Sequence, residues 1–88
     1  MIRQKVTVCN ITGLHLRPAG VLCETAARFE SNVSFFFDGV PVNVKSVLSV
    51  LAACVKKGDE IELIFDGEDE AEAMEALVEA IQSGLGEY

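Results

Sequence analysis

Apolar and polar residues alternate from the first positions onward: Ile2, Val6 and Val8 stand between Arg3, Lys5, Thr7 and Cys9. A period of two marks a half-buried strand, and only the polar Gln4 interrupts it. The stretch Asn10, Ile11, Thr12, Gly13 breaks the pattern. Ala19, Leu22, Cys23, Ala26 and Phe29 then recur at helical spacing. Pro18 fits a helix only in its first turn, where a missing N–H is no loss. The spacing therefore predicts a helix near residues 16–28, with His15 at its mouth.

Val33, Phe35 and Phe37 alternate again, Asp38-Gly39 is a two-residue hairpin signal, and Val40, Val42 and Val44 resume the alternation. Pro41 cannot donate to a ladder, which puts the second arm at a sheet edge. Val47, Leu48, Val50, Leu51 and Ala52 read as strand or helix by composition. Ser46 as an N-cap, and Lys56-Lys57-Gly58 as a basic, glycine-terminated end, favour a short helix. Ile61, Leu63 and Phe65 form a fourth strand ending at Gly67. Asp69 with Glu72 resembles a capping box, and Met74, Leu77, Val78 and Ile81 make one apolar stripe up to Gly84. The order βαββαβα, with no linker or repeat, predicts a single α+β domain over residues 1–88. Four short strands that each need one covered face, with three helices, point to a two-layer sandwich with the helices on one side.

Composition narrows the function. Half of the 88 residues are apolar, enough for a core, and the formal charge is −7. That balance argues against nucleic-acid binding and against an anionic membrane surface. The charge is unevenly spread: residues 59–88 hold eleven acids and no Lys or Arg, while residues 1–58 sum to +4. The longest nearly apolar stretch, Val47 to Val55, is too short to span a bilayer, and the first residues lack the apolar core of a signal peptide. A cytoplasmic protein is expected. Cys9, Cys23 and Cys54 are odd in number and form no CxxC pair, which suits a reducing compartment and small buried hydrophobes rather than disulfides or zinc. With one His and no cofactor motif, neither a metal nor a cofactor is expected.

Gly13-Leu14-His15-Leu16-Arg17-Pro18-Ala19 is where the chain stops being generic. A helix start offers unpaired N–H groups and partial positive charge to an anion. Arg17 adds charge-assisted, bidentate-capable hydrogen bonds to phosphate oxygens. An uncharged imidazole in this setting is a nucleophile, and the arrangement fits a histidine that accepts a phosphoryl group. The bland alternative is a helix-cap or solvated turn histidine.

GLHLRPAG at 13–20, VKSVLSVL at 44–51 and GEDEAEAMEAL at 67–77 carry a resemblance that covers the whole chain. The sequence resembles HPr, the histidine-containing phosphocarrier family of the bacterial phosphoenolpyruvate-dependent sugar phosphotransferase system. The resemblance implies an open-faced two-layer sandwich, a four-stranded antiparallel sheet covered on one side by three helices, which matches the element order read above. It further implies that phosphorylated enzyme I gives a phosphoryl group to Nδ1 of His15, that Arg17 is the phosphate partner, and that the group passes to IIA domains of sugar permeases. The protein is then a carrier that works only with partner enzymes.

Ser46 has two readings. It is an ordinary N-cap, and by resemblance it is the regulatory serine of an ATP-dependent HPr kinase/phosphorylase, with a catabolite-control transcription regulator as a further partner. A phosphate there adds about −1.5 to −2 charge beside the docking surface. The resemblance also implies that the short second helix lies beside His15, so that Leu16, Val21, Val47, Leu48 and Leu51 supply an apolar docking patch ringed by Arg17 and Lys45, with Gly20 and Glu24 on the same face and Val50 in the core. Leu16, Gly20, Glu24 and Cys54 depart from the usual family pattern. The alternatives are a paralogue in a regulatory, nitrogen-related relay, and a small α+β interaction module in which His15 is never phosphorylated.

Overall fold

The computed structural model describes residues 1–86. Its elements run β1 (Ile2–Thr7), α1 (Leu16–Ala27), β2 (Asn32–Phe37), β3 (Val40–Asn43), α2 (Val47–Ala52), β4 (Glu60–Asp66) and α3 (Glu70–Gln82). The strands form one antiparallel sheet in the order β1-β4-β2-β3. The expected open-faced sandwich is therefore the observed fold, and Pro41 lies on an edge strand as its missing N–H requires.

Strand alternation sorts the side chains. Val6, Val33, Phe35, Val42, Ile61, Leu63 and Phe65 are buried under the helices. On the other face lie Arg3, Lys5, Glu62 and Phe36, where Arg3 Nη1 meets Glu62 Oε1 at 3.4 Å. Gln4 is paired with the buried Leu63, yet it is exposed because β1 is an edge, and its amide donates to the Lys5 carbonyl at 3.0 Å. That is why one polar residue does not break the strand. Asp38 and Gly39 both take positive φ, 52° and 76°, as a two-residue turn between twisted strands demands.

Helix α1 packs against α2 and α3, burying Ala19, Leu22, Cys23 and Ala26 in the common core. Pro18 is buried in its first turn. In α3 the stripe is Ala73, Leu77 and Ile81, with Met74 and Val78 half-buried at its margins.

Three local expectations are corrected. Asp69 makes no cap hydrogen bond to α3. Its carboxylate turns to the β2 entry, accepting from the N–H groups of Glu30 and Ser31, each at 2.9 Å, and from the Ser31 hydroxyl. Glu70 serves the helix start instead, its Oε1 accepting the Gly67 N–H at 3.2 Å. Helix α2 ends at Ala52, and the left-handed residue after it is Cys54, with φ 57°, so Lys56, Lys57 and Gly58 lie beyond the helix in the turn to β4. Of the three cysteines only Cys23 is buried, and burial pushes its thiol pKa up; Cys9 and Cys54 are exposed.

Candidate functional site

His15 is the N-cap of α1, with extended backbone (φ −79°, ψ −175°) and an exposed side chain that makes no cap hydrogen bond. Its carbonyl accepts the first helical bond, from Ala19 N–H at 2.8 Å. Four amides are orphaned at an ordinary helix start. Here Pro18 contributes none, so three amides lack an intrahelical acceptor, those of His15, Leu16 and Arg17, and the last two follow His15 in the first turn. The imidazole is thus not consumed by capping, and the donors around it remain directed out of the helix.

The loop before His15 is fixed by its backbone. Leu14 N–H donates to the Val55 carbonyl at 2.9 Å, and the Asn10 side-chain amide donates to the Gly13 carbonyl at 2.6 Å. Gly13 has φ +65°, and a Cβ on it would stand 2.5 Å from the Val55 oxygen. Only glycine admits this approach, which lays the segment ahead of α1 against the chain leaving α2. The result is a depression of about 240 Å³ lined by Thr12, Leu14, His15, Leu51, Cys54, Val55 and Lys56.

Arg17, two residues into the turn, is exposed and makes no hydrogen bond or ion pair with another described residue. A guanidinium without an internal partner is available to an anion at the helix start. His15, Arg17 and two open amides can therefore receive a tetrahedral anion and offer it a nucleophilic nitrogen. Among the described residues no cluster of three or more His, Cys, Asp or Glu could hold a metal ion.

The expected docking residues divide. Leu16 and Leu48 are 66% and 80% exposed, Val21, Val47 and Leu51 are half-buried, and Val50 is fully buried in the core. Leu51 lies beside His15 in the shared depression. Gly20 has nothing within 4 Å of the place its Cβ would take, although a helix-interior glycine costs about 1 kcal/mol against alanine. Glu24 is exposed on the same helix. Lys45 lies elsewhere than the sequence suggests: its Nζ donates to the Phe29 carbonyl at 2.7 Å, beyond the C-terminal end of α1. That end is about 18 Å along the axis from His15, and the ammonium there complements the helix dipole. Ser46 is the expected N-cap, its Oγ accepting the Ser49 N–H at 3.3 Å. Sequence reasoning missed Ile11, 71% exposed in the loop ahead of Gly13, and Cys54 as a wall of the His15 depression.

Residues 2–83 match the family model described as the PTS HPr component phosphorylation site. The chain belongs to the HPr family. It is 44% identical over 82 residues to the HPr-like protein Crh of Bacillus subtilis (strain 168), covering 93% of this chain and 96% of that one. It is 36% identical over 87 residues to the phosphocarrier protein HPr of Treponema pallidum (strain Nichols), covering 99% of each. The crystal structure of HPr-C-His from Thermoanaerobacter tengcongensis superimposes with a TM-score of 0.96 at 38% identity, over 100% of this chain and 99% of that chain. Among the described residues, no helix of this HPr-family chain is long and apolar enough to cross a membrane.

Proposed function

We propose that this protein is a single-domain cytoplasmic phosphoryl carrier of the sugar phosphotransferase system, accepting its group from phosphorylated enzyme I and delivering it to IIA domains of sugar permeases. The observation that carries the reading is the exposed His15 imidazole, free of any cap bond, at the start of a helix whose second residue is an arginine with no partner among the described residues. In the acceptance step the bond between phosphorus and the phosphorylated enzyme I breaks as a P–N bond to His15 Nδ1 forms. Arg17 and the Leu16 and Arg17 amides hold the phosphoryl oxygens. Electrostatic holding without a covalent or metal assistant keeps the group bound and still transferable. The protein supplies an acceptor and a docking face, and the partner enzymes supply the rest, so it is a carrier rather than a free-standing enzyme.

Incubation with phosphoenolpyruvate, magnesium and a bacterial enzyme I tests this. One acid-labile, alkali-stable phosphoryl group is expected on the protein and none on His15→Ala. Failure to label with several enzymes I overturns the reading.

The similarity to Crh, an HPr-like protein, favours a second, regulatory role for the same chain, with Ser46 as acceptor for an HPr kinase/phosphorylase and a transcription regulator as the downstream partner. Labelling by ATP and that kinase, absent in Ser46→Ala, is the expected result. Equal labelling of both proteins excludes Ser46.

A further inference from the structure

We infer that Lys56 is a second cation for the phosphoryl group on His15, reaching it from the chain that follows α2 while Arg17 reaches it from α1. The inference rests on the phosphocarrier reading and adds a phosphate-holding residue to it.

His15 and Lys56 flank one hydrogen bond: the Leu14 N–H donates to the Val55 carbonyl at 2.9 Å, and each is the next residue along its segment. The two segments touch. A Cβ on Gly13 would stand 2.7 Å from Lys56 Cα, and the two residues of chain from Gly13 to His15 span at most about 7 Å. A lysine stem extends about 6 Å, so its ammonium covers that span from a fixed base. The base is fixed by a tight turn, in which the Lys56 N–H donates to Asp59 Oδ2 at 2.8 Å and the Asp59 N–H donates to the Lys56 carbonyl at 3.0 Å. His15 and Lys56 both line the depression of about 240 Å³, and no acidic side chain lines it with them.

Nothing in the fold accounts for the charge. Lys56 is exposed, and its ammonium makes no ion pair or hydrogen bond with another described residue. The residue lies past the end of α2, beyond the last turn in which a helix dipole acts. Asp59, in the same turn, engages the Lys56 backbone N–H and does not meet the ammonium within ion-pair distance. An anionic phosphoryl group arriving on His15 brings the missing partner. The ammonium follows that group as a point charge on a flexible stem, whereas the Arg17 guanidinium grips it as a fork. No bond to Lys56 forms or breaks. Its charge lowers the free energy of the phosphorylated chain more than that of the unphosphorylated one, and so shifts the equilibrium with enzyme I toward the carrier. Lys57 is equally exposed but does not line the depression, which makes it the internal control.

The test is the equilibrium of labelling with phosphoenolpyruvate, pyruvate and enzyme I, measured for the native chain, Lys56→Met, Lys56→Arg and Lys57→Met at low and high salt, with thermal melts of each. Lys56→Met is expected to lower the equilibrium constant for phosphorylation about fivefold at low salt and by less at high salt, with an unchanged melt. Lys56→Arg and Lys57→Met are expected to stay within about twofold of native. Acetylation of the native chain by acetic anhydride, read by mass spectrometry, gives a second readout: phosphorylation of His15 should slow modification of Lys56 about threefold or more and leave Lys57 unchanged. The role of Lys56 is overturned by an unchanged equilibrium constant for Lys56→Met, by an equal fall in Lys57→Met, by an Arg variant no better than the Met one, or by equal acetylation of Lys56 before and after phosphorylation. In each of these cases the native chain is still labelled, and the phosphocarrier reading stands. A native chain that enzyme I does not label removes both.

Discussion

Asp69 closes on Ser31 across the sheet end: its Oδ1 accepts the Ser31 N–H at 2.9 Å and the Ser31 hydroxyl, while Oδ2 takes the Glu30 N–H at 2.9 Å. These bonds, the Ser31 hydroxyl foremost, hold the Asp69 carboxyl below its ordinary 3.8. A carboxyl whose pKa is depressed by folding stabilises the fold above its unfolded value, and the contribution is lost as pH falls through the depressed folded value. Asp69→Asn is therefore expected to melt lower than the native protein at neutral pH, with the gap closing in acid. Thermal melts across the acid range check this, and a gap independent of pH would sink it.

Gly13 governs where His15 stands. A Cβ there would lie 2.5 Å from the Val55 oxygen and 2.7 Å from Lys56 Cα, at a φ of +65° that side chains disfavour. Gly13→Ala is expected to cost about 1–3 kcal/mol in urea unfolding. It should also slow labelling of His15 in the fraction that remains folded, because the loop must move off the chain that follows α2.

Much of this was legible in the sequence because it is local. The alternation about Val33, Phe35 and Phe37 and the Asp38-Gly39 turn specify a hairpin within a dozen residues, and Pro18 and His15 mark one helix start. What escaped was decided by partners far along the chain. Asp69 has a good cap position by spacing, but donors 38 and 39 residues away compete for its carboxylate and win. Lys45 is adjacent to Ser46 in sequence, but the carbonyl that holds its ammonium belongs to Phe29. Cys54 reads as one more small hydrophobe until the backbone turns left-handed there and exposes it beside His15.

Cys54 carries φ +57°, a conformation that costs a residue with a Cβ about 1–2 kcal/mol. Glycine removes that cost and returns part of it through a freer unfolded chain, about 0.4–1 kcal/mol. Cys54→Gly is thus expected to stabilise by about 0.5–1 kcal/mol, raising the melting temperature by a few degrees. A melting temperature that falls would show that the thiol contributes packing that offsets the strain.

Ser46 caps α2 through the Ser49 N–H. Ser46→Ala is expected to cost about 1 kcal/mol, whereas Ser46→Asp, which also accepts at an N-cap, should hold stability within a few tenths. The Asp variant then isolates the effect of charge: slower transfer from enzyme I in a protein with an unchanged melt. Equal melts for the Ala variant and the native protein would show the cap to be energetically idle.

Leu48 and Val50 are two residues apart on one short helix and separate docking from folding. Leu48 is 80% exposed and Val50 is 0% exposed. Leu48→Asp removes little buried surface, so stability should stay within about 0.5 kcal/mol of native. Its KM for phosphorylated enzyme I should nevertheless rise about tenfold, as expected when a central apolar contact is replaced by a charge. Val50→Ala should behave in the opposite way, losing about 2 kcal/mol in urea unfolding while the folded protein keeps its KM. Paired denaturation and transfer kinetics on both variants decide the matter. A Leu48→Asp protein with native kinetics would remove Leu48 from the docking surface.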